Sequence, residues 1–73
     1  MKYYANFNAN NGTSWINDME FTNKAEAIRS VRETAEGERF HNNSCSWYVK
    51  DESGNEIANG GMTSTGKRYR DKF

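Results

Sequence analysis

The chain has 73 residues, carries 10 basic and 10 acidic side chains, and has a mean hydropathy of −1.11. A chain of this length predicts one domain over residues 1–73, and a formal net charge of zero argues against general attraction to nucleic acid or an anionic membrane. The single cysteine, Cys45, excludes an internal disulfide, so packing alone must hold the fold.

Residues 2–21 alternate in polarity on both sides of an Asn-Gly step, which predicts a β-hairpin. One side of each strand is apolar and is expected to face the core. These residues are Tyr3, Ala5, Phe7, Ala9, Trp15, Met19 and Phe21. The same alternation assigns Ile16 to the opposite, uncovered side.

Residues 23–37 predict an amphipathic helix. Asn23 is a favoured N-cap with Glu26 in the capping-box position, and Gly37 is expected to end the helix in a left-handed conformation. The apolar stripe of this helix consists of Ala27, Ile28, Val31 and Ala35. Because small residues bring little apolar area, we expect aromatic side chains to supply most of the core. The core predicted after the helix consists of Phe40, Trp47, Val49, Ile57 and Tyr69.

Alternation over residues 45–51, a turn around Gly54 and a return strand over 56–62 predict a second hairpin. The Asn59-Gly60-Gly61 step predicts a bulge or an early end of that return strand. Residues 67–73 are either an edge strand or a loose basic tail. The element order β-β-α-β-β, with room for a fifth strand, predicts a two-layer α+β fold. Its one helix packs on an antiparallel sheet, while a mixed sheet and the strand order stay open.

Nothing in the sequence predicts catalytic, metal-binding or cofactor-binding residues. His41 and Cys45 stand four apart, but zinc requires about four nitrogen or sulfur ligands, and no second His or Cys is present. We therefore expect a protein that is not an enzyme, with no cofactor and no small-molecule substrate. The absence of an apolar export or membrane-spanning run, together with a free cysteine, predicts a cytoplasmic protein without membrane association.

The most informative predicted surface is the side of the sheet that the helix leaves uncovered. Its candidate residues are Tyr4, Asn6, Asn8, Ile16, Tyr48 and Lys50, with Asp18 beside them. Exposed aromatic residues rimmed by polar groups mark interaction sites, and Tyr and Asn suit adaptable binding surfaces. The hypothesis is a small non-enzymatic binding module for a protein partner or for self-association. Cross-strand packing of tyrosines is the structural alternative.

A second candidate surface is the basic C-terminal segment. Its residues are Lys67, Arg68, Tyr69, Arg70 and Lys72. Basic residues interleaved with aromatic ones can neutralise phosphates and stack on bases, so the alternative hypothesis is a nucleic-acid-binding accessory protein. Lys and Arg also protect exposed sheet edges, which is the structural explanation of the same residues. An acidic protein partner is the third interpretation of this segment.

Overall fold

The computed structural model describes residues 1–10, 12, 14–38 and 43–73. The elements in chain order are β1 (Tyr3–Ala9), β2 (Trp15–Phe21), α1 (Lys24–Glu38), β3 (Cys45–Asp51), β4 (Glu56–Met62) and β5 (Arg68–Lys72). The five strands form one sheet in the order β2-β1-β3-β4-β5, with every neighbouring pair antiparallel. Helix α1 packs on one side of this sheet, mainly against β1 and β3. The predicted two-layer α+β fold is confirmed, and residues 67–73 contain an edge strand.

The start of helix α1 follows the prediction, whereas its end does not. The side-chain Oδ1 of Asn23 accepts a hydrogen bond of 3.1 Å from the backbone N–H of Glu26, as an N-cap should. Gly37 was expected to end the helix, but α1 continues through it to Glu38. Gly37 therefore lies within the last helical turn.

The turn between β3 and β4 is closed by the side chain of Asp51. Its Oδ1 accepts hydrogen bonds from the backbone N–H groups of Ser53 (2.9 Å) and Asn55 (3.0 Å). Gly54 adopts a φ of +89°, a conformation that costs glycine little. This confirms the predicted turn and fixes the register at which the second hairpin begins.

The core lies between α1 and the centre of the sheet and consists largely of small side chains. Its buried apolar residues are Ala5, Phe7, Ala9, Ala27, Ile28, Val31, Ala35, Cys45, Trp47, Val49, Ala58 and Met62. Tyr3, Ile16, Phe21 and Ile57 are half-buried at its margin. The predicted predominance of aromatic residues is wrong, because Phe7 and Trp47 are the only aromatic residues among these buried side chains of the described chain. Phe40 lies outside the described residues.

A β-bulge in β2 reverses the assignment of two predicted residues. Ala5 pairs with Met19 but Phe7 pairs with Ile16, which leaves Asn17 and Asp18 together opposite Asn6. One extra residue shifts the two-residue alternation, so side chains before the bulge change sides. Ile16 therefore lies on the helix side with Phe7, and Trp15 lies on the opposite side with Asn8. Both predictions were wrong for this reason.

Met19 is a third departure from the predicted core. It lies on the helix side, because its cross-strand partner is the buried Ala5. It nevertheless remains 44% exposed, since β2 is an edge strand that the helix barely covers.

The glycine pair in β4 lets two aromatic rings approach the backbone from opposite sides of the sheet. A Cβ placed on Gly60 would lie 2.6 Å from the Trp47 ring, and one on Gly61 would lie 2.4 Å from the Tyr69 ring. Strand β4 does not end early at these glycines but continues to Met62. The predicted bulge at this step is confirmed, because the register with β5 shifts between Asn59 and Gly61; the extra residue lies on β5, where Arg70 and Asp71 adopt φ values of +64° and +37°.

Candidate binding face of the sheet

Alternate residues of all five strands form the side of the sheet that faces away from α1, which we call the helix-free face. Its residues are Tyr4, Asn6, Asn8, Trp15, Asp18, Glu20, Ser46, Tyr48, Lys50, Glu56, Asn59, Tyr69, Arg70 and Lys72. Cross-strand pairs such as Asn6 with Tyr48 and Tyr4 with Lys50 place predicted residues side by side. Five of the six residues predicted for this face, all except Ile16, are thus brought together.

Trp15 is the main residue of this face that the sequence-based assignment missed. It is 61% exposed, while Tyr48 on the central strand is 39% exposed. The polar pair Asn17–Asp18, which interrupts the apolar alternation of β2, was the available signal for a bulge. Recognising that bulge would have transferred Trp15 from the predicted core to this surface.

The basic segment is divided between the two sides of the sheet. On the helix side, Arg68 forms an ion pair with Glu36, and Asp71 forms one with Arg32 at 3.0 Å. Tyr69 is half-buried over Gly61, and its hydroxyl donates a hydrogen bond of 2.6 Å to the backbone carbonyl of Cys45.

What remains of the predicted basic patch is smaller than the sequence suggested. Arg70 and Lys72 are exposed on the helix-free face, while Lys67 is exposed in the preceding loop. The segment therefore does not present its charges as one continuous patch.

A polar cluster holds the β2 bulge against the centre of the face. The Asn6 side chain donates to Asp18 Oδ1 (3.1 Å) and accepts from the Asp18 backbone N–H (3.0 Å). The ammonium of Lys50 lies 3.2 Å from the same carboxylate oxygen. The pKa of Asp18 is held below its ordinary value by these hydrogen bonds. The bond from Asn6 has the largest effect and that from Lys50 the next. Asn6, although only 7% exposed, therefore has partners for both ends of its amide.

Tyr48 stands between two shallow hollows on the helix-free face. The hollow on the side of Trp15 has a volume of about 290 Å³, and the residues that line it include Asn8 and Ser46. The hollow on the opposite side has a volume of about 400 Å³ and is bordered by Arg70 and Lys72. The face is thus a ridge with a depression on each side, a shape that can receive protruding side chains.

A larger groove, of about 590 Å³, runs along the helix side between α1 and Phe73. Two of its cations, Arg32 and Arg68, already pair with Asp71 and Glu36. The guanidinium of Arg32 also lies 4.8 Å from the centre of the Phe73 ring. These contacts fasten the end of β5 to the helix, which is a structural role.

The described residues contain no group of three or more His, Cys, Asp and Glu side chains placed to hold a metal ion. Cys45 is fully buried, and His41 lies outside the described residues. In the described part of the chain, no helix has the length and apolar character needed to cross a membrane. No protein-family model, curated protein or solved structure matches this chain.

Proposed function

We propose that this protein is a small non-enzymatic binding module that recognises a protein surface through its helix-free face. The observation that carries the proposal is the exposure of Trp15 and Tyr48 on a five-stranded sheet whose opposite side is buried by α1. Trp, Tyr and Arg are enriched in protein–protein interfaces and supply most of their energetic hot spots. A sheet also holds such side chains in fixed relative positions, which lowers the entropy lost on binding.

The charge of the face favours a protein over nucleic acid. Three carboxylates on this face, those of Asp18, Glu20 and Glu56, equal in number its three cations. The cations are Lys50, Arg70 and Lys72. Nucleic-acid affinity depends mainly on neutralising phosphates, so three carboxylates beside the stacking residues would oppose it. Mixed charge of this kind is instead typical of surfaces that meet a protein of complementary pattern.

One observation favours the alternative of single-stranded nucleic acid. Arg70 and Lys72 border the same hollow as Tyr48, so a base stacked on that ring would have two cations nearby for its phosphates. This alternative predicts binding to a mixed-sequence single-stranded oligonucleotide that weakens steeply with added salt. No binding at low salt would exclude it.

The test uses the tagged chain as bait in a lysate of its native host, with captured proteins identified by mass spectrometry. Trp15→Ala and Tyr48→Ala should each abolish capture of the specific partner while leaving the fold intact. Phe73→Ala is the matched control, because Phe73 is also an exposed aromatic residue (58%) but contacts Arg32 on the helix side.

Equal capture by all four proteins would refute the proposed use of this face. Unfolding of Tyr48→Ala, seen by circular dichroism, would show that Tyr48 holds the sheet together rather than binding a partner. Trp15→Ala keeps the test decisive in that case, because its side chain is the more exposed of the two.

A further inference from the structure

The two margins of the helix-free face carry opposite charge. The margin formed by β2 presents Asp18 and Glu20, which also pair with Lys50 (3.2 Å) and Lys2 (3.6 Å) of the same chain, whereas the margin formed by β5 presents Arg70 and Lys72. Each margin also carries one aromatic residue, Trp15 on β2 and Tyr69 on β5 (the two outermost strands of the sheet). Two copies of this surface are therefore complementary in charge when the β2 margin of one faces the β5 margin of the other.

We propose that the protein bound by the helix-free face is a second copy of this chain, packed face to face about a two-fold axis that runs along β3. This inference rests on the proposed function, since it uses the same surface. Strand β3 is the central strand of the five, so a two-fold axis along it exchanges the β2 and β5 margins. Such an interface is isologous, and every contact in it between two different residues occurs twice.

The strand register places residues of opposite margins at the same position along the strand direction, so that they face each other in the two copies. Trp15 pairs with Asn8, Asn8 with Ser46, Ser46 with Gly61, and Gly61 with Tyr69, so Trp15 and Tyr69 lie on one row across the sheet. Rotation about this axis reverses each row but leaves its position along the strands unchanged. Trp15 of one copy therefore lies over Tyr69 and the adjacent Arg70 of the other. A guanidinium over an indole ring is a favourable cation–π arrangement.

The next row places a carboxylate and an ammonium at the same height. Lys72 pairs with Asn59, Asn59 with Tyr48, and Tyr48 with Asn6, whose side chain binds Asp18. Asp18 of one copy therefore comes over Lys72 of the other, while Tyr48 lies beside the axis and meets its own counterpart. The hollow of about 400 Å³ between Tyr48 and Arg70 can receive the indole of Trp15 from the second copy.

The area of the face fits a reversible dimer. Five strands spaced about 4.8 Å apart, four of seven residues and β5 of five, cover roughly 500 Å² per copy. A face-to-face dimer would then bury about 1,000 Å², the lower limit for a specific interface. Its polar centre, with Asn6, Asn59 and Ser46, is also typical of weak association. We therefore expect a monomer–dimer equilibrium in the micromolar range rather than an obligate dimer.

Sedimentation velocity on the full chain, from about 1 μM to about 1 mM, measures this equilibrium directly. The wild-type mass should double as the concentration rises. Trp15→Ala and Lys72→Glu should each weaken the association by about tenfold or more, because each change removes two contacts from the dimer. Lys24→Glu, which alters an exposed cation on the helix side, should leave the dimer constant unchanged.

A wild-type chain that stays monomeric over the whole range would overturn the inference, as would a dimer that Trp15→Ala leaves intact. Two-dimensional NMR locates the contact independently. Concentration-dependent shifts should cluster at Asn8, Trp15, Ser46 and Tyr48, and a cluster along α1 would contradict the proposed geometry. If the chain is monomeric while Trp15→Ala still abolishes partner capture, the binding face stands and only the identity of its partner is wrong. If capture is also unaffected, both proposals fail.

Discussion

The two tryptophans of this protein lie on opposite sides of the same sheet and do different things there. Trp47 is only 3% exposed, on the central strand, where its ring packs over Gly60 and lies with its centre 6.4 Å from that of Phe73. Trp15 is 61% exposed, on an edge strand that the helix barely covers. The side that α1 covers buries its tryptophan in the core, while the helix-free face leaves its tryptophan exposed at the surface that we propose as the binding face.

Separate replacement of the two tryptophans tests this comparison. It should give the largest difference in unfolding free energy between two variants. Trp47→Ala should lower the free energy of unfolding by about 3–5 kcal/mol, because it removes a buried ring and leaves a cavity. Trp15→Ala should change it by no more than about 0.5 kcal/mol, as exposed positions generally do. Urea unfolding followed by circular dichroism measures both values. Similar losses from the two substitutions would contradict the assignment of the two sides.

The glycines provide the second test. Gly61→Ala should destabilise the protein by about 3 kcal/mol, near the upper end for overpacking, because overlap would occur with Tyr69 and with a backbone carbonyl that cannot move aside. That carbonyl belongs to Cys45 and lies 2.5 Å from the position of the new Cβ.

Gly37→Ala is the matched control for Gly61→Ala, and its effect should have the opposite sign. Apart from its chain neighbours and the nearby helix backbone, no atom of the described residues lies within 4 Å of a Cβ placed on Gly37. Alanine favours the helix over glycine by about 0.5–1 kcal/mol, so we expect Gly37→Ala to raise the melting temperature. A fall in melting temperature for both variants would show that the close approach at Gly61 is not the cause.

The third test concerns the one polar side chain among the buried residues described in the structure. Asn6→Ala should cost about 2 kcal/mol, because both of its hydrogen bonds to Asp18 are lost and a backbone N–H at the bulge loses its partner. Asn8→Ala, two residues further along the same face, should cost less than about 0.5 kcal/mol because its side chain is exposed. Equal effects in chemical denaturation would mean that the bulge is not held by Asn6.

The smallest expected effect is on the pH dependence of stability. The pKa of Asp18 is lowered in the folded protein, so the folded state binds this proton less readily than the unfolded chain. The stabilisation is complete above the ordinary pKa of the carboxyl group and is lost as the pH falls through the lowered value. Asparagine also suits the φ of +47° at this position. Asp18→Asn should therefore reduce the loss of unfolding free energy that accompanies acidification. An unchanged loss of stability at low pH would show that other carboxylates cause it.

Much of the architecture could be predicted from local patterns. The strands and helix were recognised from periodicity, the helix start from Asn23, and the β3–β4 turn from its glycine. These features depend on residues close in sequence, so short-range chemistry determines them. The same is true of Tyr4, Asn6, Asn8, Tyr48 and Lys50, whose place on the helix-free face follows from uninterrupted alternation along β1 and β3.

The features that could not be predicted all depend on how one strand pairs with another. The bulge at Asn17–Asp18 moved Trp15 out of the predicted core and Ile16 into its margin, although each lies in the strand where it was expected. Another bulge, at Arg70–Asp71, places Arg70 and Lys72 on the helix-free face, while Arg68 forms an ion pair with the helix. Local sequence determines that a strand forms. Its register with the neighbouring strand is the one that buries most apolar area while its polar groups remain hydrogen-bonded. That pairing depends on the whole folded chain, and here it determined which tryptophan lies in the core and which is exposed on the helix-free face.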